Sequence, residues 1–404
     1  MKQLFYVLTV LAALPIHWTK AAESTTGVTE HVPLDLRAKT AKKPYNTARY
    51  WQLSVAPENE GDFINLFEKL MPVFQKEVEL GQYHWWAMFK AHENELGANY
   101  LVSVGSDSIY INNSEPFQKL WRDNIITREE WVQTWSSILD IVKFQGSFVV
   151  SLNDYILNDL DEPRWPVDMK KILLTVGYIT TAEENEMHMI KMIEDFWRER
   201  YQKRFELDGS LIGWNALKVE GNEKAFANAN LITTMVQRTD RLPTELQLNE
   251  INSSLPKIPN GYFDQLPVKN LNELREFKQV KYDLVLVTDG SKSMKNKFLN
   301  EITGTWVHRN KDGSYRKKVM TRNTEQTTFF DKNNAIVEKR DPWPYRVEVI
   351  HGQPRFTVYS PNGSTWNAAV NLINGQWFEQ HRAKFNGVWT ATDPKVYWTY
   401  DKED

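Results

Sequence analysis

Cysteine is absent from all 404 residues. That removes structural disulfides, a thiol nucleophile, thiolate metal sites and a lipoprotein anchor together. Histidine is scarce at 8 residues, no two of them at i, i+4, and no HExxH or facial-triad spacing occurs. Signatures of a catalytic serine, a phosphate-binding P-loop or a dinucleotide-binding turn are also missing. No signature therefore calls for a cofactor. Beyond the N-terminus no apolar run is long enough to span a bilayer. Nor does one sign of charge dominate: 49 basic residues face 52 acidic ones, a formal −3. That balance gives no electrostatic reason to expect nucleic acid or an anionic membrane as partner.

What is present begins with an export signal. Lys2, the apolar run 4–16 and Thr19-Lys20-Ala21 predict cleavage before Ala22 and a periplasmic or secreted bacterial protein. A buried N-terminal strand is the competing reading. Residues 22–46, rich in Thr, Lys, Glu and Ala without apolar periodicity, read as an exposed leader. Aromatics abound, with 16 Trp, 16 Tyr and 19 Phe. Most of these large rings are expected in cores, leaving some to line a pocket.

An internal repeat organises the chain between residues 50 and 237. Sliding the chain by 128 positions sets Gly81 on Gly209, Trp86 on Trp214 and Lys90 on Lys218; three more positions set Asn99 on Asn230. In the first copy, strand 50–55 leads to a helix capped by Asp62, with Phe63, Leu66, Phe67, Leu70 and Phe74 at helical spacing. Pro72 should bend or break that helix, and Gly81 ends it. Strands 82–91 and 97–104, a helix over 116–143 and strand 146–152 complete the copy. In the second, strand 172–179 precedes a Thr181–Glu184 capping box. The stripe Ile190, Ile193, Trp197, Tyr201 comes next, Gly209 closes the helix, and 210–219 and 228–237 form a hairpin. A polar insertion (238–267), a short helix near 271–277 and strand 282–288 end it. Each copy reads β-α-β-β-α-β. In strand 83–89 both faces are apolar or aromatic, so both should be covered.

This pattern resembles the dimeric α+β barrel superfamily, which includes the NIPSNAP-type proteins and antibiotic-biosynthesis monooxygenases. The resemblance covers about residues 48–295. It implies two ferredoxin-like units, 47–160 and 167–296, packing their sheets into one intramolecular barrel where relatives use two subunits. From residue 298 short β-rich runs alternate with turns such as Asp312-Gly313, Asn333-Asn334, Asn362-Gly363 and Asn374-Gly375. They predict a small antiparallel barrel or sandwich over 298–404. Gly304-Thr305-Trp306 at its first strand resembles the lipocalin-like barrels, which implies an interior pocket. The fold class expected is thus α+β, two tandem ferredoxin-like units followed by a small β-barrel or sandwich.

Three sets of residues could carry chemistry. Asp289, Ser291 and Ser293, directly after an apolar strand, resemble the metal-ion-dependent adhesion site of von Willebrand A domains and would suit Mg²⁺. An ordinary polar turn is the preferred reading, because the antiparallel β texture after 298 does not fit that fold. His84 could ligate or relay protons near neutral pH, or sit hydrogen-bonded among aromatics. Trp86, Lys90 and Asn99, with Trp214, Lys218 and Asn230, either reflect repeated packing or line two equivalent clefts, with Trp as apolar wall and Lys or Asn as polar anchor. The sequence points to an exported monomer or homodimer binding a small, largely apolar or aromatic ligand. A cofactor-independent oxygenase or isomerase and a cell-envelope interaction module are the alternatives.

Overall fold

Alternate residues of one strand go to different cores. In β2 (Trp85–Ala91), Trp85, Ala87, Phe89 and Ala91 join one cluster, while Trp86 and Met88 join another. This is the period-2 geometry of a strand covered on both faces. The computed structural model describes residues 34–41, 43–93, 97–107, 123–157, 168–220, 228–350, 352–363, 365–385 and 388–403. The expected export signal lies outside these residues, as do the start of the 116–143 helix and most of the stretch joining the two repeats.

The first half runs β1 (Thr47–Val55), α2 (Glu60–Glu79), β2, β3 (Tyr100–Ser106), α3 (Arg128–Ile141) and β4 (Val142–Leu157), preceded by α1 (Leu34–Ala41). The second runs β5 (Ile172–Thr180), α4 (Glu183–Met192), a π-turn (Ile193–Trp197), α5 (Arg198–Leu207), β6 (Leu211–Val219), β7 (Leu231–Arg238), α6 (Glu245–Ser254), the short α7 (Leu271–Leu274) and β8 (Glu276–Val287). All eight strands close into one barrel in the order β1-β3-β2-β8-β5-β7-β6-β4. Within it, β4-β1-β3-β2 and β8-β5-β7-β6 are the same four-strand order, joined edge to edge by β2–β8 and β4–β6. Closure leaves neither half with a free strand edge. The interior face buries Tyr50, Phe89, Phe148, Val176, Ile212 and Leu284 among others. Each such side chain removed from water contributes roughly 1.5–3 kcal/mol before entropy. The outer face is covered by α2 and α3 on one half and by α4 and α5 on the other.

Several local expectations need correction. Helix α2 starts at Glu60 behind Asn59, so Asp62 lies in its first turn and is not the cap. Pro72 does not break it. Pro72 and Glu68, whose carbonyl the proline leaves without a donor, both lie on the exposed face, open to solvent. Thr181 caps nothing: α4 has Ala182 at its N-cap, and the Thr181 hydroxyl donates to the Leu274 carbonyl at 2.7 Å. Gly81 does end α2 in the left-handed region at φ 77°. A Cβ there would lie 2.6 Å from Val349 Cγ1 and 2.8 Å from Met294 Sδ. Gly209 has no such role. The chain leaves α5 through extended Asp208, whose carboxylate takes the Ser210 N–H at 2.9 Å.

The leader is not wholly exposed. From residue 34 it forms α1, and Arg37, Ala41 and Tyr45 are buried. The cause is tertiary, because this segment lies between the barrel and the C-terminal strands.

After α8 (Met294–Ile302) the regular elements among the described residues are strands: β9 (Gly304–Arg309), β10 (Tyr315–Met320), β11 (Thr324–Phe330), β12 (Ile336–Lys339), β13 (Trp343–Ile350), β14 (Gln353–Tyr359), β15 (Thr365–Ile373), β16 (Gln376–Phe385) and β17 (Val388–Glu403). Their order is β10-β9-β17-β16-β15-β14-β13-β11-β12, and β10 also pairs with β11. Eight strands thus form a ring from which β12 projects. The hairpins turn where the sequence indicates, at Gly313, Asn334 and Asn374-Gly375, all with positive φ. Phe298, Leu299 and Ile302 of α8 pack into the same core as Trp306, Phe356 and Trp377. Among the described residues no helix is long and apolar enough to cross a membrane.

Candidate functional site

The residues that recur between the halves have recurring partners. Trp86 stacks on Phe74 (ring centroids 4.5 Å, 13°) and Phe67 (5.6 Å, 27°) of α2. Trp214 stacks on Tyr201 of α5 (4.8 Å, 16°). Each indole lies between sheet and helix. Asn99 Oδ1 accepts the Val55 N–H and its Nδ2 donates to the Val55 carbonyl, both at 2.8 Å. Asn230 does the same to Thr181, at 3.0 and 3.2 Å. Lys90 pairs with Glu60 at 2.6 Å and Lys218 with Glu186 at 2.5 Å. Asn99 and Asn230 also reach those glutamates, at 3.5 and 3.1 Å. Both glutamates stand in a first helical turn, where the helix dipole favours a carboxylate. Asn, Lys and Glu therefore fasten the first strand of each half to the helix that follows. Glu60 and Glu186 are 126 positions apart, as are Val55 and Thr181, and that spacing was the signal for them.

Asp289, Ser291 and Ser293 serve as caps. Asp289 Oδ1 accepts the Ser291 N–H at 3.0 Å and its hydroxyl at 2.5 Å. Ser293 Oγ accepts the Asn296 N–H at 3.2 Å, at the start of α8. Among the described residues no three His, Asp or Glu side chains gather as a metal site would require.

His84 stands elsewhere, at the end of the barrel where β1 and β2 begin and β3 ends. Its Nε2 lies 2.8 Å from Asp107 Oδ2, although the carboxylate is off the line of the ring N–H. Asp107 is fully buried and draws on distant parts of the chain. Lys295 Nζ of α8 is 3.5 Å from Oδ2, Arg346 Nη2 of β13 is 3.5 Å from Oδ1, and the Val349 N–H donates to Oδ2 at 2.9 Å. Arg346 Nη2 also donates to Asn46 Oδ1 and lies 3.3 Å from Glu348 Oε1. Asn46 Nδ2 donates to the Asp107 carbonyl at 2.9 Å and to Glu348 at 3.1 Å. Burial alone would raise the Asp107 pKa. His84 in its protonated form, Lys295 and Arg346 reverse that and hold the carboxyl well below the usual range. Burial lowers the His84 pKa against the opposing pull of Asp107, which favours a neutral imidazole.

Residues 37–41 and 43–46 run across this end as a strap. Arg37 Nη1 donates to the carbonyls of Ser360 and Pro361, both at 2.6 Å. Lys39 pairs with the fully buried Asp154 at 2.9 Å, and the Tyr155 hydroxyl donates to the Lys39 carbonyl. Lys295 Nζ donates to the Pro44 carbonyl at 3.0 Å. Tyr45 then enters the interior cluster, edge-on to Trp85 at 4.6 Å. Deeper inside, the Tyr178 and Tyr282 hydroxyls meet at 3.2 Å, with Tyr50 and Gln52 close to Tyr178. Gln52 Nε2 and Asn215 Oδ1 are buried there without an aligned hydrogen-bond partner.

No protein-family model matches the chain, and no curated protein does. Among solved structures it is similar to an anthrone oxidase-like protein (12% identity, TM-score 0.33, 62% of this chain and 95% of that one). It is similar also to a mutant chlorite dismutase from Candidatus Nitrospira defluvii in complex with cyanide (10%, 0.32, 62% and 95%). A proposed monooxygenase from Lactobacillus acidophilus NCFM is a third (9%, 0.35, 61% and 97%). At these values the likeness carries no functional information.

Proposed function

We propose that this is an exported, periplasmic or secreted binding protein for a small, largely apolar or aromatic ligand held in the α+β barrel. The observation that carries the reading is the make-up of the barrel interior. Its wall is aromatic and aliphatic, and the few polar atoms on it include Gln52 Nε2 and Asn215 Oδ1, buried without aligned partners. Mostly apolar walls with a few convergent polar atoms are the usual composition of small-molecule sites. A buried polar atom left unpaired costs about 1–3 kcal/mol, which a ligand hydrogen bond would recover. In this reading the strap at Pro44–Tyr45 closes the end by which a ligand enters. The likeness of 298–404 to lipocalin-like barrels, with a pocket of its own, belongs to the same proposal.

The His84–Asp107 pair favours a second reading. A neutral histidine beside an ionised carboxylate is a candidate general base, as an oxygenase or isomerase without a cofactor would need. Native mass spectrometry of protein purified from its own host separates the two. Binding predicts a retained mass that survives in a His84→Gln variant; the enzyme reading predicts turnover of that molecule, lost in the same variant. Protein that is ligand-free from every preparation, and that takes up no apolar fluorescent probe, would overturn both.

A further inference from the structure

We propose that the inside of the C-terminal ring binds a small zwitterion, its carboxylate on the guanidinium of Arg316 and its ammonium on Glu379. The strand register sets the place. Helix α8 leads into β9 at Gly304, which pairs with Met320, and Ile302, Trp306 and Met320 fill that end with apolar side chains. Lys318 and Arg316 lie on the same face of β10 as Met320, one and two steps nearer the Gly313 hairpin. Arg316 Cζ is 3.4 Å from the ring centre of Trp398 and 5.0 Å from that of Tyr400. Trp398 is the cross-strand neighbour of Glu379. Lys318 Nζ joins the same group, 4.7 Å from the Tyr400 ring and 2.6 Å from Glu379 Oε1.

Within this cluster Arg316 Nε, Arg316 Nη2 and Glu379 Oε2 are buried without a hydrogen-bond partner. The two nitrogens share one edge of a rigid guanidinium, stacked on Trp398, and such an edge takes both oxygens of a carboxylate. Glu379 is fully buried; its Oε1 holds Lys318 and its Oε2 is left to accept from a donor of the ligand. Charge selects the ligand further. Among the described residues of the cluster, Arg316 and Lys318 are balanced by Glu325 and Glu379. A bare carboxylate or a bare amine would upset that balance where charge is poorly solvated, whereas a molecule carrying both groups preserves it. Arg316 and Trp398 are only half-buried, so this end of the ring meets solvent. The assignment rests on the reading of the ring as a pocket of its own and needs no ligand in the α+β barrel.

Titration of the full chain with glycine, phenylalanine and 4-aminobutyrate, which differ in body and in the span between their charges, tests the site. Sodium acetate, methylammonium chloride and glucose are the controls. At least one zwitterion at about 10 mM should raise the melting temperature by about 2 °C or more and change the tryptophan fluorescence through Trp398. No control should do either. Arg316→Gln should weaken the response by about ten-fold or more, and so should Arg316→Lys, which keeps the charge and loses the planar edge. The proposal is overturned if no zwitterion acts on the wild type, if acetate or glucose acts as strongly, or if Arg316→Lys responds as the wild type does. Protein that retains an apolar mass or takes up an apolar probe, yet ignores every zwitterion, would leave the binding reading intact and overturn this assignment alone.

Discussion

Asn99 and Asn230 perform one task in the two halves of the barrel. Each side-chain amide grips both the N–H and the carbonyl of a single residue, Val55 or Thr181, where the first strand turns into its helix. Replacing either by alanine leaves two backbone groups unpaired. Each variant should lose about 1–3 kcal/mol in denaturant unfolding. The two sites share no partners, so the double variant should show nearly the sum. A loss in only one half would mean that the joint is not structurally equivalent.

Asp107 joins the barrel to α8 and the C-terminal ring through one carboxylate, and its backbone carbonyl takes the Asn46 amide of the strap. Asp107→Asn would leave Lys295 and Arg346 short of a buried counter-charge, costing on the order of 3–5 kcal/mol at pH 7. The pH dependence has a fixed sign. Because the folded pKa is held low, the stabilisation is complete above the ordinary carboxylate range, near pH 4, and is lost as pH falls below it. Wild type and variant should therefore differ by a constant amount from pH 5 to 8 and converge below pH 4 in urea titrations.

How much of this was legible depends on the distance over which each feature is made. The paired halves showed in the sequence because Gly81, Trp86 and Trp214 answer to strand and helix period, which is local. The strap did not, because 34–46 has no apolar stripe; it is ordered by contacts such as Arg37 with Ser360, 323 residues away. His84 was visible as a candidate, but Asp107, Lys295 and Arg346 come from three separated elements that no spacing rule connects. Thr181 misled for a similar reason, since a tertiary acceptor at Leu274 outcompetes the local cap.

Glu77 lies on the buried face of α2, beside Tyr83, and burial pushes its pKa up to about 8. A folded value above the unfolded one means that the associated stability is complete below about pH 4 and declines as pH rises toward 8. Glu77→Gln keeps the shape without the charge. It should unfold with a flatter pH profile and be more stable than wild type at pH 9, by on the order of 2–4 kcal/mol. Parallel profiles for the two proteins between pH 4.5 and 9 would show that the carboxyl ionises freely.

Lys318 is the buried charge on which the C-terminal ring depends. Its Nζ lies 2.6 Å from Glu379 Oε1 and 3.3 Å from Glu325 Oε2, inside a cage of Tyr400, Trp377, Phe356 and Trp366 at 4.7–5.3 Å. Burial alone would favour the neutral amine, but the two carboxylates keep Lys318 protonated beyond the usual lysine range. Lys318→Met fills the cage and strands both acids, so about 3–5 kcal/mol should be lost near pH 8. The deficit should shrink toward pH 5, because unpaired buried carboxyls have raised pKa values and take up protons as pH falls. Adding Glu325→Gln and Glu379→Gln removes the stranded charge and should restore most of the stability at pH 8, since a buried ion pair is worth little more than a well-packed neutral replacement. Guanidinium melts of the single and triple variants at both pH values decide it. A single variant as stable as wild type at pH 8 would mean that the glutamates reach water without the lysine.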